Sequence, residues 1–481
     1  MNFVTLEFAS FLLFVLVAGW LLRDRDEAYR AFLLLCNLFF YAVAGIAFVP
    51  LLLAVAVLNW GTAHLLARFR ERPRVRKALI VADVAAHVCL LAFFKYYEFL
   101  VLGLESLASL GGFGMGLVAH ALPGTDMLFP VGLSFYTFQG LSYAVDHYRN
   151  PDEPPRAFLD VLLFVSFFPT IMAGPILRAR QFLPQLGHRT WESRDVQEGF
   201  ALILSGLFKK VVIASYLSEH IVRGVFESPE FYSSWAVLAA VYAYSIQIFC
   251  DFSGYSDMAV GVGRLMGFRL PENFRSPYLA LNVQDFWRRW HITLSLWLRD
   301  YLYIPLGGSR RGNRYLNLII TMALGGLWHG SHLRFLIWGV MHGVGLAVVH
   351  AFHQLKPRLW PGPVENTVLR WCGMAAAWLL TFHFVSLLWI FFRAEDMERS
   401  LEILRRLLFF GQPGEGFPLL VVPAVAAGLL VQLYGARLFR GFVDMQDRLP
   451  WAAQAVVLAL LGGFILRMGP DGVMPFIYFQ F

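Results

Sequence analysis

Apolar tracts recur along almost the whole chain, and their lengths constrain the fold more than any other feature. The first runs from Leu6 to Leu22. Others follow at about 31–48, 51–67, 79–97, 130–145, 158–177, 196–222, 234–250, 315–329, 333–352, 371–392, 418–434 and 451–467. A helix needs roughly 20 apolar residues to cross a hydrocarbon core of about 30 Å. With 58% hydrophobic and only 15% charged residues, the 481-residue chain leaves no soluble domain of useful size. The expected fold class is an all-α polytopic membrane protein in contact with lipid, and a single membrane domain over residues 1–481 is the simplest division.

The formal net charge is +7, but the basic residues lie in short clusters between apolar runs. That is how cytoplasmic loops are marked under the positive-inside rule, and it gives no reason to invoke a nucleic-acid partner. No basic residue precedes the first tract, whereas Arg23, Arg25 and Arg30 follow it, the reverse of a secretory signal. It is expected to remain as a transmembrane helix with its N-terminus outside. The run Arg68, Arg70, Arg72, Arg74, Arg76 and Lys77 pins a later loop to the cytoplasm, and the loop 98–128, free of Lys and Arg, suits the outer side. The tract 158–177 breaks this alternation, since crossing there would place Arg178, Arg180, Arg189 and Arg194 outside. Pro169, Gly174 and Pro175 interrupt it, so it reads as a broken or re-entrant segment. Cys36, Cys89, Cys250 and Cys372 sit singly in apolar segments, which indicates neither a disulfide framework nor a thiolate metal site.

The chemistry-bearing stretch is Leu324 to His342, LGGLWHGSHLRFLIWGVMH. His329 stands about 15 residues after Arg314, the last charge before it, and from Tyr301 to Val364 there is no Asp or Glu. As a helix that separation is roughly 22 Å, which is membrane depth. An imidazole there is either a structural residue bonded to a carbonyl or a reaction centre, and polar groups in membranes tend to mark the latter. Gly325, Gly326 and Gly330 allow close approach or a break in the helix, and Trp328 supplies a flat wall. A metal site built on His329, His332 and His342 is disfavoured, because a helical hydrolytic zinc site needs an adjacent Glu as base. No metal is therefore expected.

Upstream, Arg264 to Arg314 is rich in arginine and belongs on the cytoplasmic side. Within it, Asp285 to Asp300 reads as one amphipathic helix with Phe286, Trp287, Trp290, Leu294, Trp297 and Leu298 on one face. Arg288, Ser295 and Arg299 form a cationic stripe beside that face, with His291 at the border. The stripe suits snorkelling at an interface, and it equally suits the phosphates of a coenzyme A or phosphopantetheine arm. The cluster DFSGYSD brings Asp251, Ser253, Tyr255 and Asp257 together. Its acids are expected either to cap the following helix or to line a polar cavity and pair with Arg288 and Arg289.

Four runs are familiar as they stand: DFSGYSDMAVGVGRLMGFRLPENF (251–274), FWRRWHITLSLWLRDYLYIPLGGSR (286–310), TMALGGLWHG (321–330) and the terminal FIYFQF (476–481), with FFPTIMAGPILRARQFLPQL (167–186) beside them. They resemble the membrane-bound O-acyltransferase superfamily, in particular its bacterial alginate O-acetyltransferase branch, most closely over about 129–345. The resemblance implies about eleven transmembrane helices, with re-entrant and interfacial ones, in a ring around a central funnel. It places the family's invariant histidine at His329 and its second recurrent histidine at His291.

What it implies about function is O-acetyl transfer in a bacterial inner membrane. Acetyl would come from a cytoplasmic thioester, acetyl-CoA or another acyl carrier, used as a substrate with no bound cofactor. It would pass across the membrane to a periplasmic acetyltransferase partner and on to a polysaccharide such as alginate. The residues agree on chemistry: a hydroxyl attacking a thioester needs a general base, and imidazole suits that near neutral pH. His329 is the expected base and His291 an auxiliary, with Arg288, Arg299, Ser295, Trp328, Asp251, Ser253, Tyr255 and Asp257 as donor-binding or cavity-lining candidates. The rival from another class is a transporter or flippase of an activated precursor. No repeat of 20 to 50 residues and no inverted halves are visible, which counts against several transporter folds.

Overall fold

The computed structural model describes residues 3–110, 130–187, 192–359 and 366–469. The described residues form helices and no strand beyond an isolated bridge between Tyr232 and Glu415. Eight stretches among them are long and apolar enough to cross a membrane, with Leu6–Leu21 as a shorter apolar helix. The resemblance implies about eleven. The terminal run 476–481 lies outside the described residues.

The chain divides into two compact units, Met1–Thr190 and Trp191–Phe481. The first contains α1 (Leu6–Leu21), α2 (Asp26–Gly45), α3 (Val49–Arg68), α4 (Pro73–Leu110), α5 (Leu133–Arg149), α6 (Phe158–Ser166) and α7 (Phe168–Ile171). The apolar tracts become helices because nothing else satisfies backbone N–H and C=O groups in hydrocarbon. Thr5 starts the first by accepting from the Phe8 N–H at 3.3 Å. The predicted break in 158–177 is present: α6 has 9 residues and α7 only 4, each far too short to cross. The backbone freed there is met by Asn37, whose Oδ1 accepts from the Phe168 N–H at 3.1 Å. Phe11 and Phe40 pack on the Phe168 ring with centroids 5.2 and 5.4 Å away. Helix α4 continues to Leu110, so residues 98–110 of the expected loop 98–128 are helical. Residues 111–129 lie outside the described residues.

The second unit contains α8 (Ser193–Leu207), α9 (Ser234–Leu265), α10 (Val283–Arg289), α11 (Ile292–Leu298), α12 (Arg314–His329), α13 (Leu333–Leu359), α14 (Thr367–Arg393), α15 (Met397–Leu408), α16 (Val421–Asp447) and α17 (Trp451–Met468). Beyond α8 the chain stays helical to Glu227 through two π turns, Phe208–Ala214 and Ser218–Val222. The long helix α9 is apolar on all sides and is buried on most of them, which makes it the core of this unit. Two expectations are corrected here. The cluster 251–257 lies within α9 and caps nothing, since the helix extends to Leu265. Residues 285–300 are not one helix: α10 ends at Arg289, α11 begins at Ile292, and Arg299–Tyr303 is a π turn.

Candidate active site

The hairpin of α12 and α13 carries His329. Asn313 starts α12 by accepting from the N–H groups of Tyr315 and Leu316, and the helix runs unbroken for 16 residues, about 24 Å, to end on His329. Gly325 and Gly326 do not break it. A Cβ on Gly326 would run into the Phe335 carbonyl, and one on Gly339 into that of Met322, so small residues let α12 and α13 pack backbone to backbone. The helix ends at Gly330, which is its C-cap. His329 is buried, with ring centroids of Trp328, Trp338 and Phe392 at 4.6, 5.1 and 5.0 Å, all three near edge-on.

His291 sits in the break between α10 and α11. The six apolar residues that the helical projection placed on one face, Phe286, Trp287, Trp290, Leu294, Trp297 and Leu298, are all buried despite that break. At the break His291 adopts left-handed φ of 40°, a conformation that costs a residue with a Cβ about 1–2 kcal/mol. The surroundings over-determine it: the Ile292 N–H donates to the Asn273 carbonyl at 2.9 Å, and the Ser295 N–H to the His291 carbonyl at 3.0 Å. His291 is therefore not at a surface border but fully buried. Burial pushes its imidazole down to about 3. Rings connect the two histidines in steps of no more than 6.3 Å, through Phe274, Trp290, Trp389 and Trp338.

The cationic stripe survives the break. Arg288, Ser295 and Arg299 line one cavity of about 450 Å³, with Gln284, Trp287 and Tyr303 among the other walls. That volume is in the range of ligand pockets. Along α12 the cavity reaches Thr321 and Met322, and Met322 is seven residues, about 10 Å of helix, short of His329. Ser295 Oγ donates to the Trp290 carbonyl at 3.2 Å, closing the break, and Arg299 Nε donates to Asp300 at 2.7 Å.

The acids of α9 do not meet Arg288 and Arg289. Asp251 pairs with Lys210, Asp257 with Lys209 at 2.5 Å, and Arg289 with Asp285 at 2.9 Å. Lys209 and Lys210 lie on the π turn that follows α8, and the signal for them in the sequence is the pair itself, since two adjacent lysines within an apolar run demand buried anions. Ser253 and Tyr255 are buried within α9.

Three further residues take roles that their spacing did not predict. Asn273 holds His291, its Oδ1 lying 3.0 Å from His291 Nδ1. His342 accepts from Trp287 Nε1–H at 3.3 Å, fixing an indole that walls the cavity. Arg334 Nη1 donates to the carbonyls of Phe391 and Phe392 at 3.3 and 2.8 Å, anchoring the end of α14 that presents Phe392 to His329.

Residues 150–392, which include both histidines and the cavity, match the family described as MBOAT, membrane-bound O-acyltransferase. The chain belongs to this family. A probable alginate O-acetylase AlgI of Pseudomonas putida is 34% identical over 485 residues, covering 95% of each chain. A peptidoglycan O-acetyltransferase of Helicobacter pylori is 36% identical, covering 78% of this chain and 73% of its own length. A teichoic acid D-alanyltransferase of Bacillus subtilis is 28% identical over 55% of this chain. The chain is thus a multi-pass membrane-bound O-acetyltransferase of the AlgI-like branch. The comparisons lend nothing to the transporter alternative.

Proposed function

We propose that this acyltransferase takes acetyl from a cytoplasmic thioester bound along the Arg288, Ser295 and Arg299 wall and transfers it to a hydroxyl at His329. In this reading His329 removes the proton from the attacking hydroxyl, the new O–C bond forms as the C–S bond breaks, and the proton passes to the leaving sulfur. His291 is auxiliary. Trp328 walls the reacting group, while the buried ion pairs of Asp251 and Asp257, with Ser253 and Tyr255 beside them, set the shape of the core. The observation that carries the reading is the cavity along α10, α11 and α12, which couples an arginine-lined mouth to the helix ending on His329.

The names of the relatives support a polysaccharide such as alginate as the acceptor; in our reading acetyl reaches it through a periplasmic acetyltransferase partner, with the enzyme in the bacterial inner membrane as one membrane domain. The donor is coenzyme A or a carrier protein with a phosphopantetheine arm, consumed as a substrate. The test is single-turnover loss of a labelled acetyl-CoA thioester by purified, reconstituted protein. His329→Ala should insert normally and lose about 10² to 10⁴ in rate, as removal of a general base does. Wild-type transfer by a well-inserted His329→Ala protein would remove His329 from the chemistry, and no thioester loss by the unmodified protein with any carrier would remove the donor assignment.

A further inference from the structure

The partners of Asn273 determine which nitrogen of His291 carries its hydrogen. Asn273 is buried in the segment between α9 and α10. Its Oδ1 position lies 3.3 Å from the Thr293 backbone N, 2.9 Å from Thr293 Oγ1 and 3.0 Å from His291 Nδ1. A backbone N–H can only donate, so the amide atom it faces must be the oxygen. The other end of the amide agrees, since Nδ2 donates to Ser256 Oγ at 3.1 Å. The amide oxygen cannot donate, so the His291 nitrogen 3.0 Å from it must carry the hydrogen, which places it on Nδ1. In a neutral imidazole Nε2 is then a bare lone pair, and Nε2 of His291 is buried without a hydrogen-bond partner.

We propose that Asn273 is a positioning residue that locks His291 in the Nδ1–H form, so that Nε2 serves as a hydrogen-bond acceptor for an amide N–H of the acyl donor's arm. This rests on the reading of His291 as an auxiliary in transfer. The neutral form fits its surroundings: Phe252 stands edge-on at 4.7 Å and Phe274 stacks at 6.3 Å. The ionisable groups on the elements packed around it have other surroundings, Arg288 lining the cavity. Asp251 and Asp257 meet Lys210 and Lys209, Arg275 meets Glu272, and Arg289 meets Asp285. An acceptor left bare in a buried site is destabilising, a cost removed when a substrate hydrogen fills it.

The lock is measured directly by solid-state NMR of the full chain in bilayers with ¹⁵N-labelled histidine, taking the resonances lost in His291→Gln. The expected signal is Nδ1–H with an unprotonated Nε2, persisting from pH 7 to about pH 5. An Nε2–H form or an imidazolium at neutral pH would overturn the proposal, and this measurement needs no variant of Asn273 to fold.

The second arm is Asn273→Asp, which keeps the acceptor and its size but adds a charge beside the ring. An adjacent carboxylate raises an imidazole by roughly 1–3 pH units, so the acid limb of the transfer rate should move to higher pH by at least about one unit. A merely structural asparagine would leave the limb in place, and a folded Asn273→Asp enzyme with an unmoved limb refutes the proposal. If His291→Gln transfers at the wild-type rate, the auxiliary role of His291 fails, and the acceptor role with it. If His291→Gln is impaired but the NMR shows the other tautomer, only the role of Asn273 fails.

Discussion

Replacing Arg288 and Arg299 by lysine separates donor recognition from membrane anchoring. Lysine keeps the charge and the long apolar stem, so an interfacial anchor would tolerate it. It replaces a planar two-point contact with a point charge, so a phosphate site would not. One charge-assisted hydrogen bond is worth about 1.5–3 kcal/mol when sheltered, and exposed pairs are worth about 0.2–1 kcal/mol. Both arginines are exposed at the cavity mouth, which brings the expected loss to about 0.7–1.4 kcal/mol, or threefold to tenfold in donor KM. Arg299 should be the weaker of the two, because its Nε is already committed to Asp300. The assay is initial acetyl transfer against acetyl-CoA concentration in proteoliposomes, repeated as salt rises. Arg288→Lys should raise KM with kcat nearly unchanged, the gap from wild type widening with salt. Unchanged KM in both variants across the salt range would show that the stripe is a membrane anchor and that the donor enters elsewhere.

Acid should destabilise the site through His291, whose folded value of about 3 lies below the ordinary 6.5. The unfolded chain then binds more protons between these values, so stability is complete above about pH 6.5 and falls by about 1.4 kcal/mol per unit toward pH 3. His291→Gln should flatten that slope in thermal unfolding, and an equal slope in both proteins would refute it. Lys210→Met leaves Asp251 buried without its cation, a loss of about 3–5 kcal/mol. The double variant with Asp251→Leu should recover most of this, and no recovery would mean the pair is not the stabilising unit. Gly326→Val sets a side chain against the Phe335 carbonyl, so the yield of folded, detergent-stable protein should collapse. Normal yield would show that α12 and α13 can separate.

Part of the site is legible before folding because helical spacing along each segment carries it. The charge-free approach to His329 needs only the rise per residue and the absence of acids, and α12 ends on that histidine. The stripe of Arg288, Ser295 and Arg299 follows from helical spacing, and it survives because the break at His291 leaves the three residues on one cavity wall. What spacing could not show was the break itself. A left-handed histidine follows from no local preference and is held by the chain 18 residues earlier.

The sequence by itself determined that this chain crosses a membrane many times, that 158–177 is interrupted, and which family it joins, because hydropathy, proline and contiguous motifs act along the chain. Only the tertiary structure decided the partners of the polar groups. Asp251 and Asp257 take lysines 41 and 48 residues away in place of the expected arginines, and Asn273 sets the tautomer of His291. Trp338 and Phe392 arrive from α13 and α14 to wall His329. The reason is physical: a buried charge or imidazole must be satisfied by whatever packing brings within about 3 Å, and a one-dimensional pattern does not encode which helices will meet.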